Sequence, residues 1–270
     1  MHDPAALDAF LAARSPAVMV RVAKARGSVP RTAGTWMLAA SGSAFGTIGG
    51  GALEAAGLAA ARSLLADPDA PQSLDMPLGP DTAQCCGGFV RLELAPVDAG
   101  LAERLRSETA RACQALPEVL VLGSGHVGRA LAAALRPLPL RPLLIDERAD
   151  ELARAAAGIE TECTPLPEAC IRAAPPASAF VVLTHDHGLD FMLTREALAR
   201  ADAAYVGMIG SRTKRVRFER WLAREDGPPV NASHLVCPIG AAGVGDKRPE
   251  VIAAFVAAEL LATLSGRQRG

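Results

Sequence analysis

Two short stretches in the second half of the chain, residues 119–122 and 178–184, are almost wholly apolar. Apolar runs without polar alternation are typical of strands buried on both faces, as in a parallel sheet. Residues 127–135 are dense in alanine and leucine, which favours a helix directly after the first of these strands. Residues 141–146 indicate a further strand. This half therefore predicts a Rossmann-like parallel sheet covered by helices.

The first half has a different pattern. Residues 89–94 alternate between Phe89, Arg91 and Glu93 on one face and Val90, Leu92 and Leu94 on the other, which predicts a half-buried strand. Further strands are predicted over 16–25, 35–40 and 44–48, and helices over 4–13 and 52–65. The chain is thus predicted to be an α/β protein. Its parts are a small N-terminal α+β domain (1–96), a connecting helix (97–117) and a Rossmann-like C-terminal domain (118–270).

Composition narrows the classes of function. Half of the 270 residues are hydrophobic and the net charge is −1, so there is no general attraction to nucleic acid or acidic membranes. No apolar run approaches the roughly 20 residues of a membrane span, and the N-terminus lacks the features of a secretory signal. We therefore expect a cytoplasmic protein that binds neither membrane nor nucleic acid.

Glycines follow the strand at 119–122 in the order of a dinucleotide-binding fingerprint. Gly123, Gly125 and Gly128 form G-x-G-x-x-G between a predicted strand and a predicted helix. The first glycine would make the tight turn, the second would admit a phosphate, and the third would let helix and strand pack closely. His126 stands inside this loop. Asp146, at the end of the next strand, is where a ribose hydroxyl would bind.

Two other segments predict anion binding. Gly49, Gly50 and Gly51 open a helix that carries Glu54, and Arg26 and Arg31 lie in the preceding glycine-rich loop. Ser211, Arg212 and Lys214 begin a later helix. Cations there oppose the helix dipole unless an anion is bound.

Two further groups could carry chemistry. His185, Asp186 and His187 follow the strand at 178–184, at the sheet edge where α/β proteins bind ligands. A loop that shapes the site by hydrogen bonding is the preferred interpretation, and a metal site is the alternative. Cys85 and Cys86 are adjacent beside a glycine pair, and as accessible thiolates they could contact a soft metal.

Taken together, these motifs resemble the XdhC and CoxI accessory family along nearly the whole chain. The resemblance rests on Gly27-Ser-Val-Pro-Arg31, Gly46-Thr-Ile-Gly-Gly-Gly51 with Glu54, Cys86-Gly-Gly88, Gly123-Ser-Gly-His-Val-Gly128, Thr184-His-Asp-His187 with Asp190, Gly207-Met-Ile-Gly-Ser-Arg212 with Lys214, and Pro238-Ile-Gly240. The presence of Cys85 beside Cys86 resembles the xanthine dehydrogenase branch of that family, whereas many members have only one cysteine there.

The resemblance implies a non-enzymatic chaperone of the molybdenum cofactor. Such a protein binds the cofactor, cooperates with a cysteine desulfurase that sulfurates it, and delivers it to the molybdenum subunit of xanthine dehydrogenase. It is expected to form a homo-oligomer. The cofactor is a pyranopterin with a terminal phosphate and a dithiolene-held molybdenum. Cys85 and Cys86 would then lie near the molybdenum, while the glycine loops, Arg26, Arg31, Arg212 and Lys214 would take the phosphate.

Two other interpretations remain open. An NAD-dependent oxidoreductase would use the Gly123–Gly128 loop and Asp146, with His126 or His185 as its acid–base group. Because Arg148 follows Asp146 closely, the choice between NAD and NADP as its cofactor stays open. A nucleotide-binding scaffold without chemistry is the third. The Rossmann loop could accordingly hold the molybdenum cofactor, a nucleotide or nothing.

Overall fold

The computed structural model describes residues 3–78, 88–226, 228–240 and 245–267. Its contacts divide the chain into two units, Met1–Gln114 and Ala115–Gly270. The polar helix predicted as a connector spans Ala99–Gln114 and is grouped with the first unit. The predicted domain boundaries at residues 96 and 117 stay a prediction.

The first unit is an antiparallel sheet with helices on both faces. Its strands are β1 (Ala17–Gly27), β2 (Trp36–Ala40), β3 (Ser43–Gly46), β4 (Ser73–Leu78) and β5 (Gly88–Pro96), in the order β3-β2-β1-β5-β4. Its helices are α1 (Pro4–Ala13), α2 (Gly51–Ala66) and α3 (Ala99–Gln114).

Strand alternation explains why both faces are covered. Val18, Val20 and Val22 of β1 pack with α2 in one core, while Met19 faces a second core that includes Leu7 of α1. The predicted alternation in β5 is confirmed, because its inner positions Val90, Leu92 and Leu94 are all buried.

The second unit is a six-stranded parallel sheet. Its strands are β6 (Glu118–Leu122), β7 (Arg141–Asp146), β8 (Glu160–Cys163), β9 (Ala179–Val182), β10 (Tyr205–Met208) and β11 (Leu235–Val236). Its helices are α4 (His126–Leu135), α5 (Ala149–Leu152), α6 (Pro167–Ala173), α7 (His187–Ala199), α8 (Arg212–Leu222) and α9 (Pro249–Arg267).

The strand order β11-β10-β9-β6-β7-β8 is that of a Rossmann sheet. The chain reverses direction across the sheet between β6 and β9, and the loops after these strands lie at that reversal. Ligands of such sheets bind at this switch point. The predicted α/β class, with a Rossmann-like second half, is confirmed.

Several elements differ from the predictions. Strands β4 and β8, both at sheet edges, were not predicted. Every residue of β8 is exposed, and β4 contains Asp75 and Pro77, which are uncommon in strands. The sequence of residues 150–157 predicts a helix there, but α5 ends at Leu152. Residues 184–190 are not all loop, since α7 begins at His187.

Candidate functional site

The glycine loop after β6 has the geometry that its sequence predicts. Gly123 has φ +120°, and a Cβ there would lie 2.4 Å from the carbonyl oxygen of Leu183. A Cβ on Gly128 would lie 1.9 Å from the carbonyl oxygen of Gly123. A Cβ on Gly125 would meet nothing within 4 Å. Gly123 and Gly128 thus serve the fold, whereas Gly125 borders open space.

Helix α4 begins at this open position. Gly125 is its N-cap and no side chain caps the helix, so its first N–H groups are not used by a capping side chain. His126, the first residue of the helix, is exposed. The loop therefore offers donors to an anion.

Asp146 occupies the predicted position at the end of β7, but its carboxylate is used within the protein. The N–H and Oγ–H of Ser124 donate to its Oδ2 at 2.7 and 3.0 Å. The guanidinium of Arg148 donates through Nε to Oδ1 and through Nη2 to Oδ2, both at 2.9 Å, and the backbone N–H of Arg148 donates to Oδ1 at 3.0 Å. Asp146 thus braces the glycine loop where a ribose hydroxyl was predicted to bind.

These bonds set the charge state of Asp146. Burial alone would raise the pKa of this carboxyl, but hydrogen bonds from Arg148 and Ser124 hold the pKa well below its ordinary value of 3.8. The carboxylate consequently stabilises the fold above about pH 4, and this contribution is lost as the pH falls toward the lowered pKa.

Replacing Asp146 by asparagine should lower the free energy of unfolding by about 2 kcal/mol at neutral pH, because Arg148 loses its ionic partner. Urea denaturation of both proteins between pH 7 and pH 3 measures this difference. It should shrink below about pH 4. A difference that stays constant to pH 3 would mean that the pKa of Asp146 is the same in the folded and the unfolded protein.

A narrow cleft opens at the switch point, beside the glycine loop. Its cavity volume is about 40 Å³. Its apolar lining comes from Leu122, Ile145, Pro165, Pro167, Leu189 and Leu193. The rest of its lining consists of Gly123, Asp146, Glu147, Thr184 and His185. The motifs predicted Asp146 and His185 here, but not the apolar lining, which comes from separate elements.

The histidine-containing segment after β9 is organised by Asp186. This residue is the N-cap of α7, and its Oδ1 accepts the N–H of Leu189 at 2.7 Å. That backbone bond lowers the pKa of Asp186 below its ordinary value. His185 and His187 are both exposed. Among the described residues, no three histidine, cysteine, aspartate or glutamate side chains are grouped to hold a metal ion.

The basic first turn of α8 is partly neutralised from within the protein. Ser211 is the N-cap, as predicted, and accepts the N–H of Lys214 at 3.2 Å. The Lys214 ammonium pairs with the carboxylate of Asp190, and these side chains are only 11% and 1% exposed. The other oxygen of Asp190 accepts the N–H and Oγ–H of Thr184, both at 2.8 Å. Lys214 is thus already paired, while Arg212 remains exposed.

The glycine loop of the first unit is likewise occupied by one of its own side chains. Gly49, Gly50 and Gly51 have φ values of +125°, +75° and +61°. The carboxylate of Glu54 accepts the N–H of Ile48 at 3.3 Å and that of Gly50 at 3.2 Å, and it also accepts the hydroxyl of Thr47. Glu54 therefore fills part of the anion site that the glycines predicted.

Three segments of the first unit meet at one end of its sheet. Strands β1 and β5 pair with Gly27 opposite Gly88. A Cβ on Gly88 would lie 2.5 Å from the carbonyl oxygen of Ser28, and one on Gly49 would lie 2.7 Å from Cβ of Pro30. We call this region, formed by residues 26–31, 47–51 and Gly88, the glycine end.

Two cations are available at the glycine end. Arg26 and Arg31 are exposed, and neither forms an ion pair with another described residue. Cys85 and Cys86 lie outside the described residues and precede Gly88 by three and two positions in the sequence. Their predicted contact with molybdenum stays a prediction.

The functional residues that the motifs missed are Ser124, Arg148 and Leu189. Ser124 lies between two glycines of the fingerprint, and a hydroxyl at that position could have indicated a hydrogen bond to the residue at the end of the next strand. The sequence indicated Arg148 only as a residue that bears on the choice between NAD and NADP. Leu189 gave no signal, because its place in the cleft depends on how α7 packs.

No helix in the described part of the chain is long and apolar enough to cross a membrane.

Comparison with known proteins agrees with this architecture. The family profile of the XdhC Rossmann domain matches residues 119–260, and that of the XdhC and CoxI family matches residues 10–73. A crystal structure described as a xanthine dehydrogenase from Bacillus halodurans is 18% identical, with a TM-score of 0.76, and the match covers 99% of this chain and 97% of that one. This likeness concerns the fold. A comparison with curated proteins gave no match. The two profiles together account for both units, and the chain belongs to the XdhC and CoxI family.

Proposed function

We propose that this protein holds the molybdenum cofactor while it is sulfurated and then delivers it to xanthine dehydrogenase. Membership of the family indicates a role in the maturation of xanthine dehydrogenase. Binding, sulfuration and insertion of the cofactor are the more specific steps that we propose. The protein acts in them as a carrier and not as an enzyme.

The observation that supports the proposal best is the glycine end of the first unit. It brings two exposed arginines, Arg26 and Arg31, together with a glycine loop and the start of β5. Arginine is well suited to phosphate because its planar guanidinium donates two parallel hydrogen bonds. A terminal phosphate is the part of the cofactor that such a site would hold.

Glu54 changes how the phosphate would be bound. Because its carboxylate already accepts the N–H groups of Ile48 and Gly50, those donors are not available to a ligand. We therefore assign phosphate binding in this unit to Arg26 and Arg31, with Glu54 holding the loop in shape. Cys85 and Cys86, which shortly precede Gly88, are the groups that we propose for the molybdenum, since thiolates are soft ligands.

Partners follow from the proposed role. A cysteine desulfurase supplies the terminal sulfur of the molybdenum, and the molybdenum subunit of xanthine dehydrogenase receives the cofactor. We further propose that the protein works in the cytoplasm as a homo-oligomer.

The alternative of an NAD-dependent oxidoreductase receives less support. Its ribose would need a carboxylate with free acceptor positions at the end of β7, but Asp146 already accepts five hydrogen bonds from Ser124 and Arg148. Both oxygens are therefore committed within the protein.

The proposal is tested by producing xanthine dehydrogenase in cells with this protein, without it, and with a variant carrying Arg26→Ala and Arg31→Ala. Molybdenum content and activity of the purified dehydrogenase are measured. We expect loading to fall at least about tenfold without the protein or with the variant, because loss of two charge-assisted contacts weakens phosphate binding by that much or more.

The matched control is Arg62→Ala, which removes another exposed arginine of the first unit, on α2. It should support full loading. If the dehydrogenase is fully loaded without this protein, the maturation role is wrong. If the double arginine variant performs as well as the control, the glycine end is not the cofactor site.

A further inference from the structure

The antiparallel sheet of the first unit is only partly covered on one of its faces. Leu7 of α1 and Leu105 of α3 pack with Met19 and Leu38, so these helices cover that face near the start of β1. Farther along β1 and β5, the side chains on the same face are exposed or partly exposed. We call this region the open face, and it consists of Arg21, Lys24, Arg26, Phe89, Arg91 and Glu93.

An irregularity in β1 turns two cations toward the open face. The pairing of β1 with β5 shifts between Val22 and Lys24. Strict alternation from the buried Val22 would direct Lys24 and Arg26 into the core beneath α2. Because of the shift, Ala25 packs against that core instead, while Lys24 and Arg26 are exposed on the other side.

Two cations lie opposite each other at the centre of the open face. Lys24 pairs with Arg91 across β1 and β5, and like charges in this arrangement ordinarily destabilise a sheet. Asp75 of β4 accepts hydrogen bonds from Nε and Nη2 of Arg91 at 2.5 and 2.6 Å. The hydrogen bond from Arg91 lowers the pKa of Asp75 most, and the charge of Lys24 lowers it further. One carboxylate thus serves two cations, and an anionic partner would relieve the remaining repulsion.

Positive charge exceeds negative charge on the open face. None of Arg21, Lys24 and Arg26 forms an ion pair with another described residue. The carboxylate of Glu93, opposite Arg21, is the one acid of the open face. The three cations extend over at most about 17 Å of β1, at about 3.3 Å per residue. A surface of this sign and size suits an acidic patch on another protein.

The carboxylates near these cations favour a protein over a polyanion. Nucleic acid and anionic bilayers present negative charge throughout, so they would repel Glu93 and Asp75. A protein can instead place a cation near each carboxylate and acids near Lys24. Phe89 is partly exposed beside them, and aromatic side chains are enriched in protein interfaces.

The open face is continuous with the glycine end. Arg26 belongs to both regions, and Phe89 directly follows Gly88 in β5. A protein that takes over a bound cofactor has to contact the surface beside that cofactor. Among acidic partners, this position favours the protein that receives the cofactor.

We infer that the open face docks an acidic surface of the molybdenum subunit of xanthine dehydrogenase, with Lys24 at the centre of the contact. The inference rests on the proposed function, which makes this subunit a partner. It goes further by assigning the surface on which the two proteins meet.

Surface plasmon resonance of the full chain, free of cofactor, on immobilised cofactor-free molybdenum subunit tests the inference. Lys24→Glu should weaken binding at least about tenfold, mainly through slower association, because it reverses a charge at the centre of the contact. Arg62→Glu is the matched control, since it reverses an exposed cation on α2, which packs on the other face of the sheet. Its Kd should stay within about twofold of the wild type.

Two further measurements are specific to charge. Glu93→Gln should strengthen binding by about twofold or more, because it removes a carboxylate that faces acids of the partner. The Kd of the unmodified protein should rise at least about tenfold between about 50 and 300 mM salt, since salt screens exposed charges. The salt series does not depend on the folding of a variant.

Cofactor retention distinguishes this inference from the proposed function. Lys24→Glu should retain molybdenum and pterin as the wild type does, because Arg26 and Arg31 are unchanged. Loss of retention by the wild type would contradict the proposed function. The docking surface is judged separately, by the binding of cofactor-free proteins.

Several results would overturn the inference. These are no binding at about 50 μM subunit, equal binding by Lys24→Glu and Arg62→Glu, and binding that salt does not weaken. A changed oligomeric state of Lys24→Glu alone, measured by sedimentation velocity, would mean that a second copy of this chain occupies the open face. Binding to phosphatidylserine vesicles or duplex DNA that Lys24→Glu abolishes, without binding to the subunit, would mean that the open face recognises a polyanion.

Discussion

Replacing Lys214 by methionine should lower the free energy of unfolding by about 3 kcal/mol, because it leaves the carboxylate of Asp190 buried without its cation. The side chain of Asp190 is 1% exposed, so water cannot replace the lost ammonium. Thr184 would still donate two hydrogen bonds to Asp190, but these do not neutralise its charge. Urea denaturation at neutral pH measures the change.

The partner variant and a control complete this experiment. In the double variant Asp190→Asn, Lys214→Met neither charge remains, so its loss of stability should be clearly smaller than the sum of the two single losses. Arg217→Met removes an exposed cation from the same helix, α8, and should change stability by less than about 0.5 kcal/mol. Equal effects of Lys214→Met and Arg217→Met would show that the buried pair does not contribute to stability.

The second large effect concerns Gly128. Glycine to alanine inside a helix ordinarily stabilises a protein by about 1 kcal/mol. At Gly128 the sign should reverse, with a loss of about 3 kcal/mol or more, because the added Cβ would lie 1.9 Å from the carbonyl oxygen of Gly123 and 2.8 Å from Cδ1 of Leu183. Thermal or urea denaturation of Gly128→Ala tests this expectation.

Gly125→Ala is the matched comparison within the same loop. Its Cβ meets nothing within 4 Å and its φ is −63°, which alanine adopts readily. We expect a change of less than about 1 kcal/mol, the difference between glycine and alanine at an N-cap. If Gly128→Ala were as stable as Gly125→Ala, close packing would not explain the third glycine of the motif.

The sequence predicted the parts of the fold that depend on local pattern. The strand at Arg141–Asp146 and the helix at Pro4–Ala13 were predicted with the bounds that they have. The different roles of Gly123, Gly125 and Gly128 also followed from the motif, because each role depends on one short strand-turn-helix unit.

What the sequence could not predict were the partners of charged side chains. Lys214 meets Asp190, 24 positions away, and this pairing depends on how α7 and α8 lie at the sheet edge. The same holds for Ser124 and Asp146, which are 22 positions apart. A motif shows that a charged group is present but not whether the fold already satisfies it.

Glu54 shows the same limit over a short distance. Three glycines before a helix predict an anion site whether the anion comes from a ligand or from the protein. Here the carboxylate one turn into α2 folds back on the loop. The edge strands β4 and β8 were missed for another reason, since every residue of β8 faces solvent and β4 contains Asp75 and Pro77, which are uncommon in strands.

The central claim is that the glycine end of the first unit binds the molybdenum cofactor. The most direct test is anaerobic: the protein is mixed with the cofactor, free ligand is removed, and retained molybdenum and pterin are assayed. We predict equimolar retention by the wild type and by Arg62→Ala, and loss of retention when Arg26 and Arg31, or Cys85 and Cys86, are changed to alanine. Failure of the wild type to retain molybdenum and pterin, or undiminished retention by both double variants, would contradict the claim.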